Sequence, residues 1–206
     1  MPGETSSRDR LLDAAVRTIE AHGEAAVRVR EVAGEAGVAY TSVYHFFGDR
    51  EGLVQAAHVE RYRRTLFLGL DELDERVATC STRDGFRTIV TEMLAHVFDP
   101  ERAEFRLART NALGSALDRP DLAAKFAALH DQFDRRLASA MRVPQQRGWI
   151  RPGLDLRMLA AWYRGQVSSR VHIELAGPRP EHVFWNKFTL EAVLAVAMGV
   201  APDPLG

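Results

Sequence analysis

Between Val29 and Leu53 the chain reads VREVAGEAGVAYTSVYHFFGDREGL, and this stretch constrains the fold more than any other. Val29, Val32, Ala33 and Ala36 fall on one face of a helix predicted from about Arg28 to Ala36. Ala33 is small where a second helix must come close, Gly37 supplies the turn, and Val38 plugs the angle between the helices. Val43 then packs back onto the first helix. Two short helices, a glycine turn and the start of a longer helix make the layout of a helix-turn-helix, which can present one helix to a nucleic-acid groove. A helical hairpin with a glycine turn and no nucleic-acid partner uses the same residues, so these positions alone leave both readings open.

The remaining chain sets limits on function. At 206 residues, 46% hydrophobic and 27% charged, it has the material for a buried core. The longest apolar run, Ala192 to Pro202, is too short for the ~20 residues that cross a bilayer, so no membrane partner is expected. MPGETSSRDR lacks the apolar centre of a secretory signal, and a single cysteine, Cys80, cannot form an internal disulfide; both point to the cytoplasm. Residues 1–64 carry nine arginines against ten carboxylates, a balance of minus one. Electrostatics alone would hold such a segment to DNA weakly, so specific binding needs local contacts and two copies per site.

Read in order, Ser6 or Ser7 caps a first helix that Gly23 closes, with Leu11, Leu12, Ala15, Val16 and Ile19 inward. After the helix-turn-helix, Asp49 caps a fourth helix whose apolar positions continue through Leu73 to about residue 77. Ser81-Thr82 and Asp99-Pro100 open helices reaching Val97 and Leu117. Others are predicted from Pro120 to about Gln146, from Leu156 to Leu175, and from the Gly177-Pro178-Arg179-Pro180 break to about Val200. Nine helices and no strand-like alternation predict an all-α fold.

RDRLLDAAVRTIEAHG, then VREVAGEAGV, then YTSVYHFFGDREGL, resembles the amino-terminal domain of the TetR family of transcriptional regulators, in unbroken register over roughly residues 8–60. The resemblance implies a three-helix DNA-binding domain over residues 1–53 and a helical ligand-binding and dimerisation domain over residues 54–206. It places a recognition helix at residues 39–45, with Tyr40, Thr41 and Ser42 on base edges and sugars, and Tyr44 and Arg50 on phosphates. Arg28 and His45 are further candidates for DNA contact. Where relatives carry small hydroxyl caps before helices 2 and 3, this chain has Arg28 and Ala39, and Phe46 replaces a polar ring; the loss of such a cap typically costs ~1 kcal/mol.

The family also implies a homodimer, a double-stranded DNA operator and a small-molecule effector. The last two helices carry apolar residues on more than one face, as a helix with two partners must. Their candidate dimer residues are Trp162, Tyr163, Val167 and Val171, then Phe184, Trp185, Phe188, Val193 and Val196. Candidate effector-pocket residues are Phe67, Met93, Phe105, Arg109, Phe126, His130, Trp162 and Gln166, with Arg109 paired internally to Glu92 or Asp131 or facing an anionic ligand. No phosphate-cradling loop, nucleophile elbow or HExxH helix occurs, so no catalytic residue, cofactor or metal is expected; Glu92 and His96, one turn apart, are an ordinary helical pair. Three functions stay open: a ligand-released repressor, a TetR-like protein acting through protein partners, and an all-helical ligand binder or enzyme without DNA activity.

Overall fold

A computed structural model describes residues 6–177 and 179–199. The amino terminus before Ser6, Pro178 of the last break and the predicted helix end at Val200 lie outside them. The described residues form twelve α-helices and two short 3-10 turns, without a strand. The helices are α1 (Ser7–His22), α2 (Val29–Glu35), α3 (Thr41–Phe47), α4 (Arg50–Leu66), α5 (Leu70–Thr79) and α6 (Arg83–Val97). They continue as α7 (Ala103–Gly114), α8 (Pro120–Ala140), α9 (Arg142–Gln146), α10 (Leu156–Ser169), α11 (Val171–Glu174) and α12 (His182–Met198).

Nine helices become twelve because three of the expected ones are broken. The expected continuous helix from Asp49 to about residue 77 ends at Leu66, and Gly69, at φ +80°, turns the chain before α5 starts. The apolar spacing persists across this break, so Leu70 and Leu73 still reach the core at 5% and 4% exposure while the axis changes. The helix from Pro120 breaks at Met141. Pro144 has no N–H to give, and its ring crowds the carbonyl four residues back, at Ala140, where α8 stops. Arg170 separates α10 from α11.

The chain divides into two compact units. The first holds the chain through Arg64 together with Ser115–Phe126; the second holds Thr65–Gly114 and the chain from Ala127 onward. Ser6 caps α1 by accepting the Asp9 N–H at 3.1 Å, and Leu11, Ala15, Val16 and Ile19 then line up inward as their spacing predicts. They meet Val32, Ala33 and Val43 of α2 and α3, and Leu53, Val54 and Ala57 of α4, in one core. Burial of each large aliphatic side chain stabilises this core by roughly 1.5–3 kcal/mol. Tyr62 and Phe126, with ring centroids 4.8 Å apart, extend the same unit.

In the second unit Thr82 caps α6 by accepting the Gly85 N–H at 3.1 Å, and Asp99 caps the turn at Pro100–Arg102 by accepting that of Glu101 at 2.8 Å. α6 packs against α5 and α12, and α7 against α10 and α11. Phe86, Leu94 and Phe98, each 1% exposed, form its centre. Among the described residues no helix is long and apolar enough to cross a membrane.

Candidate nucleic-acid interface

The turn between α2 and α3 follows from one glycine. Gly37 sits at φ +63°, where a side chain would be strained, and its N–H donates to the Gly34 carbonyl at 3.1 Å. The Val38 N–H reaches the Ala33 carbonyl at 3.0 Å, completing a Schellman closure, and the Val38 side chain packs on the core as that motif requires. α3 is thereby set against α2 with Val43 fully buried. Neither helix has a side-chain cap: Arg28 and Tyr40 occupy the cap positions and make no capping bond. Backbone serves instead at α3, where the Ser42 and Val43 N–H groups donate to the Ala39 and Tyr40 carbonyls at 2.9 and 3.1 Å.

With Val43 inward and Phe47 packed on the core, the opposite face of α3 is outward. Tyr40 and Tyr44 are 48% and 51% exposed and meet edge to face at 6.4 Å, one turn apart. Thr41 and His45 are exposed beside them, and Ser42 is half-buried. Arg30, absent from the expected contact set, lies with its guanidinium over the Tyr40 ring at 5.5 Å, and Arg28 is exposed near Glu31 at 3.8 Å. The near-zero charge of this segment also resolves into pairs. Glu35 meets Arg17, Glu20 meets Arg61, Asp13 meets Arg64, and Glu24 meets Arg119. Much of the acidic charge is therefore already matched within the unit, and the outward side of α3 carries the hydroxyls of Tyr40, Thr41 and Tyr44 with Arg30 of α2 beside Tyr40.

Arg50, expected on a phosphate, is half-buried and turned in part toward the chain's own backbone. Its Nε and Nη2 donate to the carbonyls of Val27 and Glu24, both at 2.8 Å, so its guanidinium ties the start of α4 to the turn that precedes α2. The Glu24 carboxylate is held in turn. Arg119 grips both its oxygens, and His58, 5% exposed, bonds one of them through Nε2 at 3.0 Å. The bonds from Arg119, aided by His58 against a modest burial penalty, hold the Glu24 carboxyl down to about 2. Arg119 also lies 3.2 Å from Glu51. Sequence reasoning missed this cluster because Glu24 meets Arg50, His58 and Arg119 across 26, 34 and 95 positions, with no local pattern.

The second unit contains a cavity of about 300 Å³. Of the expected effector residues, Met93, Phe105 and Arg109 line it. Phe67 instead packs edge-on against Phe133 at 6.0 Å, and Phe126 belongs to the first unit against Tyr62. His130, Trp162 and Gln166 are outside the lining; burial, with Arg164 nearby, lowers the His130 pKa to about 4, so it is neutral at pH 7. The carboxylates considered for Arg109 bond other arginines, Glu92 to Arg76 and Asp131 to Arg135 and Arg157. Arg106, which the sequence did not single out, is the buried one at 1% exposure, bonded to Glu174 and to the Val97 and Asp99 carbonyls. Among the described residues no three His, Cys, Asp or Glu side chains converge as for a metal.

The expected dimer residues divide. Tyr163, Val167, Val171 and Val193 are buried within the unit's own core, at 3–8% exposure; Tyr163 and Val167 also line the cavity. Trp162, Trp185 and Val196 are half-buried. Phe184 and Phe188, at 62% and 54%, are open to solvent.

Comparison with known proteins agrees with the helix-turn-helix. Residues 11–57 match the model of the bacterial regulatory proteins of the tetR family. A TetR-family transcriptional regulator from Rhodococcus sp. shares 26% identity with a TM-score of 0.66, over 92% of this chain and 97% of that one. A protein of the same description from Mesorhizobium loti (18% identity, TM-score 0.70, 93% and 96% covered) has the same fold. So does SmeT of Stenotrophomonas maltophilia, the repressor of the multidrug efflux pump SmeDEF (20% identity, TM-score 0.59, 98% of each chain). No curated protein gives a significant sequence match. The matched segment coincides with the three-helix core and its glycine turn, and the fold likeness extends over more than nine-tenths of the chain: residues 11–57 are a helix-turn-helix segment of the tetR regulatory-protein type, in a chain that has the fold of TetR-family transcriptional regulators.

Proposed function

We propose that this regulator is a homodimeric repressor that holds a palindromic operator through α3 and is released when a small molecule fills the cavity of its second unit. The outward face of α3 supports this reading most directly: Tyr40, Thr41, Tyr44 and His45 are exposed on one side of a helix whose other side is anchored by Val43. Tyr40, Thr41 and Ser42 then contact base edges and sugars; Tyr44, His45, Arg28 and Arg30 reach phosphates. Arg50 acts as a positioning residue that fixes α4 under the reading head.

Dimerisation is supported by the exposed apolar side chains of α12, Val183, Phe184 and Phe188, and by Met158 of α10 at 64% exposure. Two copies related by a two-fold axis place their α3 helices in major grooves about 34–36 Å apart. A ligand lowers DNA affinity to the extent that it favours the non-binding arrangement. SmeT, which shares the fold, is described as a repressor.

Selection of genomic fragments by the purified protein, followed by footprinting, tests the proposal. A palindrome protected by two chains is the expected result. Fragments without a shared two-fold site, or a single chain per site, would refute it.

A further inference from the structure

The charge around the cavity is unbalanced on one wall. Arg76 meets Glu92 and, at 3.9 Å, Glu72, while Arg164 meets Asp134 at 3.0 Å. Arg106 has no such exclusive partner. It shares Glu174 with Arg170, and the three side chains are 1%, 2% and 7% exposed, so two buried guanidinium charges rest on one carboxylate. Arg102, four residues before Arg106, also lines the cavity and has no carboxylate within ion-pairing distance among the described residues. Arg102 ends the 3-10 turn, Arg106 and Arg109 follow on α7, and all three line the cavity. Excess cation in a buried setting is costly until an anion joins it. Burial lowers the Arg170 pKa against the opposing pull of Glu174, and the nearby Arg106 charge adds a smaller push in the same direction.

Most of the remaining lining is apolar: Leu66, Leu70, Ile89, Met93 and Phe133 among others. Tyr163 adds a hydroxyl whose pKa burial pushes up to about 12, so it stays protonated and able to donate. At roughly 30 Å³ per water-sized group, a cavity of about 300 Å³ holds on the order of ten non-hydrogen atoms.

On the reading that this cavity is the effector site, we infer that it takes a small organic monocarboxylate, with its anionic head on the Arg102–Arg106 wall and its apolar body against the leucines and Phe133. A charge-assisted pair of this kind separates an acid from its neutral analogue by at least tenfold.

Calorimetric titration of the full chain with decanoate, decanamide and decylamine tests the inference. Decanoate is expected to bind at least ~10-fold more tightly than either analogue. In Arg102→Gln that preference falls to within about threefold while decanamide affinity is unchanged, which shows that the variant is folded. Equal binding of all three, preference for the amine, or full preference retained in Arg102→Gln overturns the anion inference and leaves the effector site standing. Failure of all three probes to bind overturns both.

Discussion

Replacing Arg50 by alanine separates its structural role from a direct role on DNA. The guanidinium donates two bonds of 2.8 Å, to the Val27 and Glu24 carbonyls, and bridges α4 to the turn before α2. Hydrogen bonds to charged groups stabilise by about 1.5–3 kcal/mol each when buried. Arg50 and Glu24 are only partly buried, whereas Val27 is buried, so the two together are worth about 2–3 kcal/mol. That corresponds to a roughly 30- to 150-fold loss in the folded-to-unfolded ratio. Urea unfolding followed by far-ultraviolet dichroism measures it directly, with the midpoint falling and the slope unchanged. Arg50→Lys should recover little, since one ammonium on a flexible stem replaces a planar fork that spans both carbonyls. If Arg50→Ala unfolds at the wild-type midpoint and only DNA affinity falls, the positioning role is refuted and the residue belongs to the phosphate contacts.

Two further outcomes follow from the ion pairs. Glu24 has a folded pKa lowered from 4.5 to about 2, so its stabilising contribution is complete above its unfolded value and is lost as pH falls through the folded one. The stability gap between wild type and Glu24→Gln should therefore be constant from pH 7 to about 5 and close towards pH 2; a gap independent of pH contradicts the Arg119 clamp. Glu174→Gln leaves Arg106 and Arg170 buried without a carboxylate and should cost about 3–5 kcal/mol by denaturant unfolding, whereas exchanging all three for apolar side chains recovers most of it. A loss below ~1 kcal/mol would show that water compensates the pair.

What the sequence revealed was local. Gly37, Val38 and Val43 act as their spacing predicts because a Schellman closure and one inward residue per turn are properties of neighbours in the chain. The caps at Ser6, Thr82 and Asp99 were legible for the same reason. The breaks at Gly69 and Met141 were concealed by apolar periodicity that runs through them, although Pro144 was a visible warning. Long-range partners were out of reach. Nothing near Arg50 indicates that its guanidinium is used inward, and Glu24 finds Arg119 across 95 positions. The residues expected to bind an effector divide between cavity lining and core, because nothing in their local spacing separates Met93, Phe105 and Arg109 from neighbours that pack elsewhere.

The central claim is that the outward face of α3 reads DNA. The most direct measurement is fluorescence anisotropy of a selected operator with wild type, Tyr40→Ala and Tyr44→Ala, at one salt concentration and with dichroism and oligomeric state verified for each. Both side chains are about half exposed and carry none of the core, so folding should be unchanged. Each substitution is predicted to weaken binding at least ~10-fold, in line with about 1–3 kcal/mol per contact; wild-type affinity in both variants would contradict the account.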